Sequence, residues 1–117
     1  MSYNTCTFIP VRDAELFTVV CLPNNTDTFP TVIMRSPYVS YAEKMTDEEA
    51  INKVVAMQQS FLDNGYAVVY QHCRGCGKST GDFIPYAFER ADGLALQAWV
   101  RQQPFYNGEL YLYGISY

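Results

Sequence analysis

The sequence predicts an α/β fold built on a largely parallel sheet, and three observations carry that expectation. Short apolar or β-branched runs alternate along the chain with longer stretches of helical periodicity. Two of the short runs, Ala67-Val68-Val69 and Leu110 to Tyr113, are apolar on both faces, as strands buried within a parallel sheet are. The second run breaks at Gly114 and is followed one residue later by Ser116, the pattern of a strand ending in a sharp turn that projects a hydroxyl.

Taken in order, residues 3 to 9 and 15 to 22 each read as a strand, with Arg12-Asp13-Ala14 as the turn of an antiparallel hairpin at the sheet's edge. Asn24 to Pro30 is a polar loop, and Thr31 to Arg35 a short buried strand ended by Ser36-Pro37-Tyr38. Thr46 and Glu49 form a capping box, after which Ile51, Val54, Val55, Phe61 and Leu62 fall at helical spacing until Asn64-Gly65. One amphipathic helix is expected there. Tyr66 to Gln71 is the next strand, and it empties into a glycine-rich loop, His72 to Gly81. A second helix spans about 87 to 103, with Phe88, Ala91, Leu94, Ala95, Ala98 and Trp99 inward and Pro104 at its end. The last strand, Leu110 to Tyr113, belongs in the middle of a sheet. No internal repeat, low-complexity tract or linker interrupts this order, so residues 1–117 read as one domain, left incomplete after Ser116.

Composition narrows the function classes. A formal net charge of -4 and the lack of a basic face argue against nucleic acid and anionic membranes as partners. The amino terminus has no charged region leading into an apolar segment, so a cytoplasmic location is the expectation. Cys6, Cys21, Cys73 and Cys76 are too few and too scattered for a secreted disulfide scaffold, and reduced thiols follow.

Ser116 is the candidate nucleophile, because a strand, a glycine and a serine in a strand-helix-strand context suit an activated hydroxyl at the sheet's carboxyl rim. Tyr38 follows an earlier strand of the same sheet and reaches the same rim, where its hydroxyl would serve an oxyanion. The loop between them invites other readings. Gly77-Lys78-Ser79 imitates a phosphate-binding loop, but His72 stands where the first glycine is required. Cys73 and Cys76 imitate a thiol redox pair, without the remainder of a thioredoxin-like pattern; with His72 they would supply three metal ligands and no obvious fourth. His72, the sole histidine, precedes the serine and reads as a polar residue at a strand end. Asp92 is expected to pair with Arg74.

These landmarks resemble the cocaine esterase and X-prolyl dipeptidyl peptidase group of serine hydrolases, the CocE/NonD family. The matching segments are P-V-R-D at 10–13, R-S-P-Y at 35–38, G-Y-A-V-V-Y-Q at 65–71, R-G-C-G-K-S-T-G-D-F at 74–83, E-R-A-D-G at 89–93, A-W-V-R-Q-Q-P-F-Y-N-G at 98–108 and G-I-S-Y at 114–117. The resemblance implies the N-terminal portion of an α/β-hydrolase catalytic domain, acting on a small ester, amide or short peptide through an acyl-enzyme. It makes Ser116 the nucleophile and assigns the oxyanion to the Tyr38 hydroxyl and the Tyr117 backbone N–H. No cofactor or metal is called for. The acid and histidine of the triad fall beyond Tyr117 in the family, so this polypeptide alone is expected to be inactive and to need the rest of its own protein, or a second copy, beside its last strand. Two departures stand out: His72 replaces the family's usual aspartate, and Ala14 its usual glycine. The alternatives are a non-catalytic, partner-dependent fragment and a thiol redox protein using Cys73 and Cys76.

Overall fold

Arg12 and Asp13 reverse the chain so that β1 (Asn4–Val11) and β2 (Ala14–Cys21) pair antiparallel, with Val11 opposite Ala14 and Asn4 opposite Cys21. Asp13 takes the left-handed backbone (φ 64°), which aspartate tolerates better than most residues. The computed structural model describes residues 3–114. β3 (Phe29–Ser36), β4 (Ala67–His72) and β5 (Tyr106–Leu112) complete a five-stranded sheet in the order β1-β2-β4-β3-β5. β3 runs parallel to both β4 and β5, whereas β2 meets β4 antiparallel. The hairpin at one edge and the parallel strands beyond it match the α/β expectation.

Strand alternation sends one set of residues to each face of this sheet. On one face Val19, Val68 and Tyr70 pack with Ala50 and Val54 of α1 (Asp47–Met57). On the other, Val20, Ile33 and Val69 pack with Leu96 and Val100 of α3 (Glu89–Arg101). α1 begins with the expected capping box: the Thr46 N–H donates to Glu49 Oε1 (2.9 Å) and the Glu49 N–H to Thr46 Oγ1 (3.1 Å).

Three expectations need correction. The single helix after Thr46 is two: Gln58 leaves helical geometry (φ -115°, ψ 20°), and α2 (Gln59–Asp63) restarts beyond it. In α3 the buried stripe is Asp92, Leu96 and Val100, while Ala91, Leu94 and Ala98 are exposed. β5 starts earlier than expected and forms an edge of the sheet of described residues rather than its middle, leaving Leu112 71% exposed.

The stripe turns inward through Asp92 because a buried polar network receives it. Asp92, 1% exposed, accepts two hydrogen bonds from Arg74, at 3.0 Å from Nε and 2.8 Å from Nη2. Arg35 lies on the same face. Its Nε donates to Gln71 Oε1 (2.7 Å) and its Nη1 to Glu89 Oε1 (2.6 Å), while Gln71 Nε2 donates onward to Thr18 Oγ1 (3.0 Å). β2, β4, β3, α3 and the loop after β4 are thereby joined by charge-assisted or buried hydrogen bonds.

That loop is held from within. His72 is 1% exposed, and its Nδ1 accepts from the Lys78 backbone N–H (3.0 Å). Ser79 Oγ donates to the His72 carbonyl (2.8 Å) and accepts from the Phe17 N–H (2.8 Å), while Lys78 Nζ donates to the Met45 carbonyl (2.9 Å). Gly75, at φ 73°, admits no side chain, since a Cβ there would collide with the backbone of Phe83. Burial, reinforced by the Lys78 charge, pushes the His72 imidazole down to about 4.

Two outcomes follow. Asp92→Asn removes the charged acceptor of a buried arginine, and urea denaturation should show a loss of about 3 kcal/mol; a loss below about 1 kcal/mol would show that the pair does not hold α3. The unfolded chain protonates its histidine near the ordinary value of about 6.5, whereas the folded chain does so only near 4. Acid therefore favours unfolding: the His72 contribution is complete above about pH 6.5 and is lost as pH falls towards 4, a change of the order of 3 kcal/mol. His72→Gln, which keeps an acceptor for the Lys78 N–H, should flatten this part of the stability profile. An unchanged slope would count against a buried neutral imidazole.

Candidate active site

Because β3, β4 and β5 run parallel, their carboxyl ends share one rim, where α/β sheets place their sites. Ser36, at the end of β3, shapes the segment that carries Tyr38: its Oγ accepts from the Tyr38 N–H (3.0 Å) and its carbonyl from the Cys73 N–H (3.1 Å). Tyr38 is 59% exposed and lines a cavity of about 260 Å³ with Tyr41, Met57, Tyr70, Tyr113 and Gly114. The Tyr113 N–H donates to the Ile33 carbonyl (3.1 Å), which carries the β3–β5 pairing to the edge of this cavity. Ser116 and Tyr117, the proposed nucleophile and oxyanion donor, lie outside the described residues. Gly114, two residues before Ser116 in sequence, shares the cavity with Tyr38.

The wall is mostly phenolic and apolar. Tyr41 is pushed up to about 12, chiefly by burial and also by neighbouring Tyr70, so it stays a neutral phenol at physiological pH. A second cavity of about 380 Å³, lined by Ile33, Glu89, Leu94, Leu112 and Gly114 among others, opens near the end of β5 beside α3. Arg35 lines both cavities.

The competing sequence readings meet specific obstacles. Cys73 and Cys76 are buried, unpaired thiols. Burial pushes Cys73 up to about 12 and also raises Cys76, so neither offers the thiolate that redox exchange requires. Lys78 is turned to the Met45 carbonyl and Asp47 (3.4 Å), and Ser79 to the strand backbone, leaving no side chain of the Gly77-Lys78-Ser79 turn directed at a phosphate. His72 spends its Nδ1 on the loop. Among the described residues no group of His, Cys, Asp and Glu would hold a metal ion. What sequence reading missed is the part played by Arg35, Gln71 and Glu89. The signal was present: Arg35 and Gln71 are polar residues on otherwise apolar strands and stand directly opposite each other.

Relatives of this architecture are hydrolases by name. The cocaine esterase of Rhodococcus sp. (strain MB1 Bresler) is 28% identical over 110 residues, covering 93% of this chain and 18% of that protein. An α-amino acid ester hydrolase structure matches with a TM-score of 0.70 at 25% identity, over 93% of this chain and 20% of its own. A CocE/NonD family hydrolase from Staphylococcus aureus matches with a TM-score of 0.70 at 20% identity, over 92% of this chain and 21% of its own. The chain thus spans about a fifth of the length of these relatives. The sequence profile of X-Pro dipeptidyl-peptidase (S15 family) matches residues 13–117. With its mixed sheet, its helices on both faces and that match over most of its length, the chain belongs to the S15 family of CocE/NonD-type hydrolases and has the α/β-hydrolase fold.

Proposed function

We propose that these residues are the N-terminal portion of a serine hydrolase that cleaves a small ester, amide or short peptide through an acyl-enzyme. The observation that carries this reading is the shared cavity: Tyr38 and Gly114, from the ends of two different parallel strands, line one hollow at the rim. Ser116 Oγ would attack the substrate carbonyl, and the carbonyl oxygen would take up the charge. The Tyr38 hydroxyl and the Tyr117 N–H would donate to that oxyanion as it forms. A base is needed to receive the serine proton, and His72 is ill placed to serve, being buried, acidic as an imidazolium and already accepting from Lys78. The histidine and carboxylate of the triad are therefore assigned to sequence beyond Tyr117, in agreement with the share of its relatives that the chain spans. Esters of amino acids and of other acids, and X-prolyl peptides, are the substrate classes that the names of the family and its relatives suggest. The exposed edge of β5 favours a second reading, a non-catalytic chain that folds against a partner.

A fluorophosphonate probe separates the two. The protein at its natural length should be labelled once, and Ser116→Ala should abolish the label. Tyr38→Phe should retain labelling at a reduced rate and lower kcat for ester hydrolysis roughly a hundred- to a thousandfold. Labelling that survives Ser116→Ala, or no labelling at all, would remove Ser116 from the mechanism.

A further inference from the structure

Arg35 stands at the junction of the two rim elements on which the proposed chemistry depends. It is three residues before Tyr38, and its side chain lines both cavities that Gly114 borders. Its guanidinium is fixed on two sides. Nε donates to Gln71 Oε1 on the adjacent strand and Nη1 to Glu89 Oε1 at the start of α3, while Nη2 approaches Asp92 Oδ2 at 4.0 Å. Gln71 is itself tied to Thr18, so the β3 end is referred to the central sheet rather than to solvent. The segment that Arg35 introduces is clamped only at its base, through the Ser36 carbonyl and hydroxyl, and the Tyr38 ring lies largely exposed. Where that ring sits relative to the end of β5 is therefore governed by the geometry of the Arg35 end of β3.

We infer that Arg35 is a positioning residue, holding the Tyr38 hydroxyl in register with the turn that begins at Gly114; the inference rests on the oxyanion role proposed above for Tyr38. Arginine suits the task because its planar fork meets two acceptors at fixed angles. Lysine, with the same charge and no Nε, cannot meet Gln71 and Glu89 together in that geometry. The contribution is to orientation alone: a donor displaced by a fraction of an ångström from the developing oxyanion loses much of its effect on rate.

The test is a double-mutant cycle in the natural full-length protein, with 4-nitrophenyl acetate as the ester and fluorophosphonate labelling run in parallel. Arg35→Lys should lower kcat roughly tenfold or more while KM moves by less than about twofold. In the Tyr38→Phe background the same substitution should have little further effect, because the hydroxyl it positions is gone. An equal loss in both backgrounds would overturn the inference, since Arg35 would then be acting on the fold at large. So would an Arg35→Lys protein of unchanged kcat. Gln71→Met, which removes the Nε acceptor and leaves the guanidinium in place, should show the same coupling to Tyr38→Phe and serves if Arg35→Lys does not fold. Tyr38→Phe measured alone reports on the underlying reading: an unchanged kcat there would end the oxyanion role of Tyr38, and the inference with it. Loss of coupling with a slow Tyr38→Phe enzyme would end only the inference.

Discussion

The buried pairing of Arg74 with Asp92 decides how the rest of this structure is arranged. A carboxylate and a guanidinium taken out of water must satisfy each other closely, and here they do so through two hydrogen bonds at 3.0 and 2.8 Å. The requirement fixes the rotation of α3, because Asp92 reaches Arg74 only if its own stripe faces the sheet. It also fixes the start of the glycine-rich loop, because Arg74 leaves β4 in that direction. Arg35 and Glu89 extend the same network to the end of β3, where Tyr38 departs. Polar residues thus set the geometry of the rim, while apolar packing on both faces of the sheet supplies most of the burial.

Much of this was legible in the sequence, for reasons that are local. The hairpin, the capping box and the run apolar on both faces at β4 each rest on a few adjacent residues, and each has its expected form. The Arg74–Asp92 pair was also foreseen, yet its consequence for α3 was not drawn. Apolar spacing alone offers two stripes on that helix. The one containing Ala91, Leu94 and Ala98 has no charge and looks the better core, whereas the true one places Asp92 in line with Leu96 and Val100. A partner from a distant loop outweighs the cost of burying the carboxylate, and no window of neighbouring residues contains it.

The remaining differences have similar causes. The break at Gln58 falls within an unbroken apolar pattern and leaves no mark on periodicity. β5 reads as an interior strand because both its faces are apolar, but interior position depends on what lies alongside, and among the described residues only β3 does. Tyr38 was identified by its place after a strand, whereas the phenolic wall around it, drawn from Tyr41, Tyr70 and Tyr113, required the fold to bring separate segments together. Ser116 and Tyr117 were assigned by motif and family resemblance, and for them the described structure supplies the approach through Gly114.

Lys78 has an effect that reaches past its own loop. Its ammonium holds the Met45 carbonyl just before α1 and lies 3.4 Å from Asp47, while its backbone N–H is held by His72. One residue therefore ties the connection between β3 and α1 to the connection between β4 and α3. Neither can detach alone without breaking bonds that belong to the other. The two connections would then exchange their amide protons as one cooperative unit rather than as two independently fraying loops.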